Sequence, residues 1–527
     1  MCSAPVTLFG LDGEVARPRV SLARSSITVA AFSAGGILLG LGATVITASV
    51  FGASRAMDTY LAAAAIPSYV ITILTGALGI TFIPVFAEYR HTDPQRAWLT
   101  VGAFLNLATI VTGIIVAAGM VFALPIIRAA APGFLPAEHA RAAIMLRVYL
   151  PVVLVAVVNE LLASIYYSHQ QFVIPLLNKV IAPGTTIACV LLLGPQLNVM
   201  SLVIATLLGA VLQCAILAIG ITRNREFEFV LTATWYNEGV KRILLLMGPL
   251  ITGMLIYKVV PVFDRFILSS LSPGSISNVN YASKLQGAVV QIFSASVALP
   301  VFPVLAAIAA EGRRSALKET MSKVIRLLFF VAVPVAVLSV ALGEPLVKLV
   351  YQRGAFSAED TRAVFLCFAI YMASLPVVAI GGVVSQGLYV LQDTRTVAIV
   401  GLGETALYIV LCFLLIDPFK YLAPPIAYGI YFTVSVLVLG TVFRKRLGLG
   451  GGMGLMRSCG RYVALGLVLG VVAVAVRSVS VRSEVGAIAW FGVLALAYLG
   501  AARAMKSTEA ALILEKAHAA FLRFHRA

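Results

Sequence analysis

Charge is scarce in this chain, and acidic charge scarcest. Only 12% of its 527 residues are Asp, Glu, Lys or Arg, against 61% hydrophobic, and the mean hydropathy is +1.00. A water-soluble chain of that composition could not cover its apolar surface, so lipid is the required solvent. The 22 acidic residues are outnumbered by 39 Lys and Arg, for a formal charge of +17. These cations lie mainly between apolar runs rather than along one face or tract, so nucleic acid is not an indicated partner. Cysteine is also sparse. The six (Cys2, Cys189, Cys214, Cys367, Cys412, Cys459) are scattered, with no CxxC and no histidine at ligand spacing. They read as small apolar packing residues rather than as disulfides or metal ligands. There is no GxxxxGK[ST] phosphate loop, zinc motif, nucleophile elbow or aromatic-basic RNA platform. Neither ATP hydrolysis nor hydrolytic catalysis is indicated, and no cofactor is called for. The first 25 residues carry Arg17, Arg19 and Arg24 without a compact apolar stretch and cleavage site, so the first span is expected to be its own insertion signal.

What the chain has in abundance is long apolar runs. Segments of about 18 or more such residues predict spans at 27–50, 59–87, 99–127, 143–167, 172–194, 199–221, 243–271, 276–303, 327–349, 364–391, 396–416, 421–443, 462–477 and 485–502. The expected fold is an all-α polytopic membrane protein with about fourteen transmembrane helices, in two six-helix lobes plus a C-terminal helix pair. The expected divisions are a cytoplasmic segment 1–26, an N-lobe 27–221, a linker 222–242, a C-lobe 243–443, a helix pair 462–502 and a tail 503–527. Lys and Arg concentrate in the loops on the side of the two termini, which places both ends in the cytoplasm. Apolar and basic residues alternate in the tail near helical spacing, as in a helix lying on anionic lipid. Two repeated bundles are the plan of alternating-access carriers. Gly36 and Gly40 in the first span allow close helix packing. Pro67 and Pro261 interrupt the second and seventh spans, where helices bend around cavities.

Charges inside spans carry the functional argument. Lys284 lies in the stretch Ser277–Gln286, where a cation is costly unless it faces a polar cavity or pairs with an acid across the bundle. The first alternative implies an anionic ligand moving through the membrane. Asp264 and Arg265 are adjacent, so on a helix they point in different directions and each is expected to pair with another helix. Asp58 follows Arg55 by three residues, which suits a carboxylate favoured by the dipole of its own helix or, alternatively, a gate between the lobes. Glu160 and Glu404 are isolated carboxylates that must pair or stay protonated, which makes them candidate proton or cation carriers.

The loop from Tyr351 to Arg362 reads Tyr-Gln-Arg-Gly-Ala-Phe-Ser-Ala-Glu-Asp-Thr-Arg. It resembles the QRGAF-x-x-EDT segment of the MurJ (MviN) family, flippases of the MOP superfamily that move lipid II, the lipid-linked peptidoglycan precursor. Further matches are Phe51-Gly52-Ala53 with Asp58, Phe82-Ile83-Pro84-Val85-Phe86-Ala87-Glu88-Tyr89, Gly274-Ser275-Ile276-Ser277 with Asn280-Tyr281-Ala282, and Leu391-Gln392-Asp393-Thr394-Arg395-Thr396. The resemblance implies a flippase carrying an undecaprenyl-pyrophosphate-linked saccharide to the outer leaflet of a bacterial inner membrane. Its partners would be the lipid-linked substrate, membrane lipids and glycan-synthesis enzymes. With the charges read above, the candidate substrate contacts are Lys284, Arg265, Asn280 and Tyr281; the resemblance suggests Asp58 as a gate, and Asp264, Glu160 and Glu404 stand as coupling candidates by their charge within spans. The chain also departs from the pattern. The arginines of the family's first span are missing from Gly36–Thr44, Val70-Ile71 stands for a twin arginine, and Tyr281-Ala282-Ser283-Lys284 stands for YADR. The sodium-site pattern of some members is not evident around Tyr408 and Cys412. Alternatives are an exopolysaccharide or O-antigen flippase, a MATE-like cation antiporter and a non-transporting scaffold. Arg353 and Arg362 flank Glu359 and Asp360, which suggests local capping of the loop.

Overall fold

The computed structural model describes residues 22–223, 232, 234–293, 299–446, 453–480, 484–505, 507–511 and 514–515. For 22–31, 299–300, 453–456, 478–480 and 484–485 it describes the backbone only. The described residues form helices and connecting turns, with no strand among them. The first half comprises α1 (Leu22–Phe51), α2 (Arg55–Thr92), α3 (Pro94–Val121), α4 (Ala123–Ala130), α5 (Pro136–Tyr149), α6 (Pro151–Ser168), α7 (Val173–Leu176), α8 (Asn178–Leu197) and α9 (Met200–Arg223). The second half runs through α10 (Glu238–Tyr257), α11 (Val260–Leu268), α12 (Ser275–Phe293), α13 (Leu299–Ala310), α14 (Arg314–Tyr351), α15 (Ala358–Ala373), α16 (Leu375–Val390), α17 (Thr394–Phe419) and α18 (Ala423–Arg446). A last pair, α19 (Met453–Ser480) and α20 (Glu484–Ala504), packs on α14.

Local chemistry explains the breaks. Pro94, Pro136, Pro151 and Pro376 lie at the starts of helices, where the missing N–H goes unnoticed. Ser54 caps α2 by accepting from Met57 N (3.3 Å), and Asp393 caps α17 by accepting from Thr396 N (3.1 Å). The QRGAF loop leads into a capping box in which Asp360 N donates to Ser357 Oγ (3.1 Å) and Ser357 N donates to Asp360 (2.9 Å). This is the local capping expected there.

By length and apolar content, eleven helices among the described residues can cross a membrane, or up to twelve with the α15–α16 pair, bent by 46°. The count of fourteen is not reached on that measure, for two reasons. The expected 276–303 span divides into α12, whose Ser277, Asn278, Asn280 and Lys284 lower its hydropathy, and the short α13; residues 294–298 lie outside the described set. The expected 396–416 and 421–443 spans fall in one apolar stretch, Thr394–Arg446, although a 3₁₀ turn at Lys420–Leu422 separates α17 from α18. The tail beyond residue 515, with most of its expected helix, lies outside the described residues.

Four buried clusters tie the helices together. One lies within the first half, where Phe82, Phe86, Trp98 and Phe104 pack against α6 and α9. Val240, Ile243 and Met247 of α10 join it, so this helix, expected within the 243–443 lobe, leans on α2. A second cluster seats α19 and α20 on α14, and a third joins α13, α14, α16 and α18. The largest spans both halves, joining α2 and α5 to α12, α14 and α15. It positions the functional site.

Candidate functional site

A cavity of about 520 Å³ lies between the two halves. Helices α1, α2 and α8 build one wall from small and hydroxyl-bearing residues, among them Thr44, Thr47, Thr72 and Thr186. The opposite wall comes from α10 to α12 and carries Lys258, Arg265, Asn280 and Lys284. No carboxylate lines the cavity among the described residues. Asn280 and Lys284 are one helical turn apart on α12 and so share a face. Arg265 comes from α11, and its Nη2 donates to Asn280 Oδ1 (3.1 Å). That bond leaves Asn280 Nδ2 buried without a partner. Lys258 terminates α10 at the break before Pro261. Its neighbour Leu255 cannot use its carbonyl within the helix there; that oxygen accepts instead from Tyr69 Oη of the first half (2.5 Å).

Asp264 points away from the cavity, as its place beside Arg265 requires. Its Oδ1 accepts from Tyr408 Oη of α17 (2.5 Å), and its Oδ2 lies 3.9 Å from Arg265. The pair is therefore a network joining α11, α12 and α17, as the adjacent positions suggested.

One end of the cavity is shut by direct contact between the halves. Asp58, fully buried, accepts from Gly274 N (2.7 Å), Ser277 N (2.8 Å) and Ser277 Oγ (2.7 Å). The residue at the start of α2 thus caps α12 of the other half, and those amides are the orphan donors of a helix N-terminus. Beside it, Ala355 N of the QRGAF loop donates to Ser49 O (2.7 Å). Tyr281 Oη donates to Gly52 O (3.1 Å), and the Tyr281 ring packs on Tyr351 and Phe356. Gly274 (φ +90°) is obligatory here, since a Cβ would sit 2.6 Å from Ala53 O. Arg55 braces the same corner through Glu138 (2.8 Å) and the Phe134 ring.

A family model described as "Lipid II flippase MurJ" matches residues 47–493. The chain belongs to the MurJ family. Curated relatives named "Probable lipid II flippase MurJ" include one from Vibrio cholerae, 24% identical over 80% of this chain and 77% of that protein. Another, from Haemophilus influenzae, is 26% identical over 76% and 82%. A solved structure described as "Lipid II flippase MurJ, inward closed conformation" shares the fold with a TM-score of 0.75 at 19% identity, covering 90% of this chain and 97% of that one. An inward-facing multidrug resistance MATE transporter of the MOP superfamily follows with a TM-score of 0.68 at 15% identity, covering 80% and 95%.

Set against the MurJ motifs, the structure divides the sequence-predicted residues into three places. Lys284, Arg265 and Asn280 meet in the cavity. Asp58 and Tyr281 meet in the closure, so Tyr281 has no access to a cavity ligand; consecutive helix residues point about 100° apart, and Asn280 takes the cavity side. Glu160 and Glu404 belong to neither place. The Glu160 carboxylate lies against Gly79, whose Cβ would come within 2.8 Å of it, and has no hydrogen-bond partner among the described residues. Glu404 lines a separate cavity of about 520 Å³ within the second half, where it accepts from Ser435 Oγ. Tyr408 lines that cavity too and links it to Asp264. The residue the sequence reading left out is Lys258, which belongs to none of the MurJ motifs. Its signal was a cation three residues before a mid-span proline. Among the glycines of α1, Gly36 faces Lys179 of α8 in close packing, with Lys179 Nζ bonded to Ser33 Oγ (2.7 Å), whereas Gly40 borders the cavity.

Proposed function

We propose that this membrane protein, a transporter rather than an enzyme, carries a lipid-linked saccharide diphosphate, lipid II foremost, across the bacterial inner membrane by alternating access. The observation that carries this reading is a cavity with a cationic wall, closed at one end. Three cations on one wall, with no carboxylate lining the cavity among the described residues, offset part of the cost of taking a diphosphate out of water. Holding must remain partial, because a carrier that binds its ligand permanently cannot release it. Arg265 is already shared with Asn280 and Asp264, and the two lysines are point charges rather than bidentate forks. The cationic cavity also argues against a cation antiporter, despite the MATE-like fold.

Both termini are assigned to the cytoplasm, supported by the concentration of Lys and Arg in the loops on that side. The Asp58 closure is then periplasmic and the described state faces inward. Opening requires Asp58 to leave α12 and the QRGAF loop to leave Ser49, which assigns the gate to Asp58. The two six-helix groups act as the rocking lobes, with α10 leaning between them. Asp264, Glu160 and Glu404 are assigned to coupling, since Asp264 and Glu404 each accept a hydrogen bond that protonation would change and Glu160 lies unpartnered among the described residues where its charge is costly. A membrane potential positive outside favours anion export by about 4–5 kcal/mol for two charges per 100 mV. Enzymes of glycan synthesis are the expected neighbours in the membrane.

The test is complementation of a bacterial strain depleted of its own lipid II flippase. Rescue by the native chain is expected. Failure of a correctly inserted chain to rescue would favour the second reading, an exopolysaccharide or O-antigen precursor, which the uncharged Gly36–Thr44 stretch supports.

A further inference from the structure

The two walls of the central cavity differ in hydrogen-bond polarity as well as charge. On the first-half wall the threonine hydroxyl protons are already committed. Thr44 Oγ1 donates to Gly40 O (2.9 Å), Thr47 Oγ1 to Ala43 O (2.7 Å), Thr72 Oγ1 to Ser68 O (2.8 Å) and Thr186 Oγ1 to Ala182 O (2.9 Å). Tyr69 spends its proton on Leu255 O. A hydroxyl that has donated retains lone pairs, so each of these threonines faces the cavity as an acceptor. The other wall is its complement. Lys258, Lys284 and Arg265 are donors only, and Asn280 has its oxygen engaged and its amide nitrogen unpartnered.

We propose that the cavity orients its ligand by this polarity: the second-half wall holds the diphosphate, and the threonines of the first-half wall accept hydrogen bonds from the hydroxyl and amide hydrogens of the saccharide. The inference rests on the flippase reading and names which residues select the cargo. An anion placed against these threonine hydroxyls would meet only their lone pairs and lose its hydration uncompensated. A sugar there meets acceptors matched to its donors. Thr72 and Thr186 are the specificity residues, because they are the more accessible of the four. Lys258 is the third phosphate ligand. Because the cations all belong to one half, the phosphate stays with that half as the lobes part, and the sugar contacts are those that break.

Equilibrium binding to the purified full chain in lipid nanodiscs tests this with two probes, lipid II and farnesyl diphosphate, which carries an isoprenyl diphosphate without sugar. Thr→Val keeps shape and removes the acceptor. The Thr72→Val/Thr186→Val double variant is expected to weaken lipid II binding about 25-fold, at about fivefold per hydrogen bond, and to leave farnesyl diphosphate within about twofold. Lys258→Gln is expected to weaken both probes by the same factor, about tenfold. Equal losses for both probes in the double variant, or no loss for either, overturn the polarity assignment while leaving the flippase reading intact. A native chain that binds neither probe overturns both.

Discussion

Replacing Asp58 by asparagine tests the gate with almost no change in shape. In the closed state one carboxylate oxygen accepts from Gly274 N and the other from Ser277 N and Oγ, all at 2.7–2.8 Å in a fully buried site. Asparagine keeps one oxygen, so two bonds survive as neutral ones, each weaker by about 0.5–1 kcal/mol than its charge-assisted form. Its amide nitrogen faces the remaining N–H donor and forfeits the third bond. The favourable placement of an anion at the start of α12 is lost as well. Against this, a neutral amide is easier to bury. The net cost to the closed state is about 2–3 kcal/mol, a shift of about 30- to 150-fold in the gate equilibrium. The assay uses a single cysteine at Thr47, which lines the cavity near the closure, in a background lacking the six native cysteines. A membrane-impermeant maleimide added outside should label Thr47→Cys slowly with Asp58 present and tens of times faster with Asp58→Asn. Equal labelling rates would refute the assignment of Asp58 to the gate.

Three further outcomes are expected. Gly274→Ala should open the same gate, because the new methyl meets Ala53 O at a backbone angle that L-residues avoid; the same labelling assay reads it, and protection equal to the parent's would contradict it. Lys284→Ala, correctly inserted, should lose most complementing activity while Lys284→Arg retains it, since the cation on the cavity wall rather than its shape is required; full rescue by the alanine variant counts against the site. A cysteine at Lys318 should react only with reagent supplied from the cytoplasm, and labelling from outside would overturn the orientation.

The sequence made the class legible because apolar runs this long have only one solvent. Within the site, Lys284 was legible because a cation inside a span needs a polar cavity or a partner. Asp264 and Arg265 were legible as a divergent pair because adjacent helix residues point in different directions. Asp58 was harder. Its proximity to Arg55 suggested a cap on its own helix, whereas its partner amides lie at Gly274 and Ser277, more than 200 residues away, and nothing in local spacing encodes that contact. Tyr281 was grouped with Asn280 because they adjoin in the motif, but 100° of helical rotation sends it into the Tyr351–Phe356 cluster instead. Lys258 falls within the expected 243–271 span but in no family motif, and only the break between α10 and α11 shows that it turns toward the cavity. The fourteen-span count took 276–303 as one span and 396–416 and 421–443 as two, whereas the polar residues of α12, Asn280 and Lys284 of the cavity among them, lower its hydropathy and Thr394–Arg446 is one apolar stretch.

The most direct measurement of the central claim is the fraction of lipid II exposed at the outer leaflet. In cells depleted of their own flippase, a membrane-impermeant enzyme that cleaves the exposed diphosphate headgroup reports that fraction. With the native chain expressed, most lipid II should become cleavable, and with Lys284→Ala at equal membrane abundance it should stay protected. Lipid II that remains protected with the native chain, or becomes equally exposed with Lys284→Ala, would contradict the account.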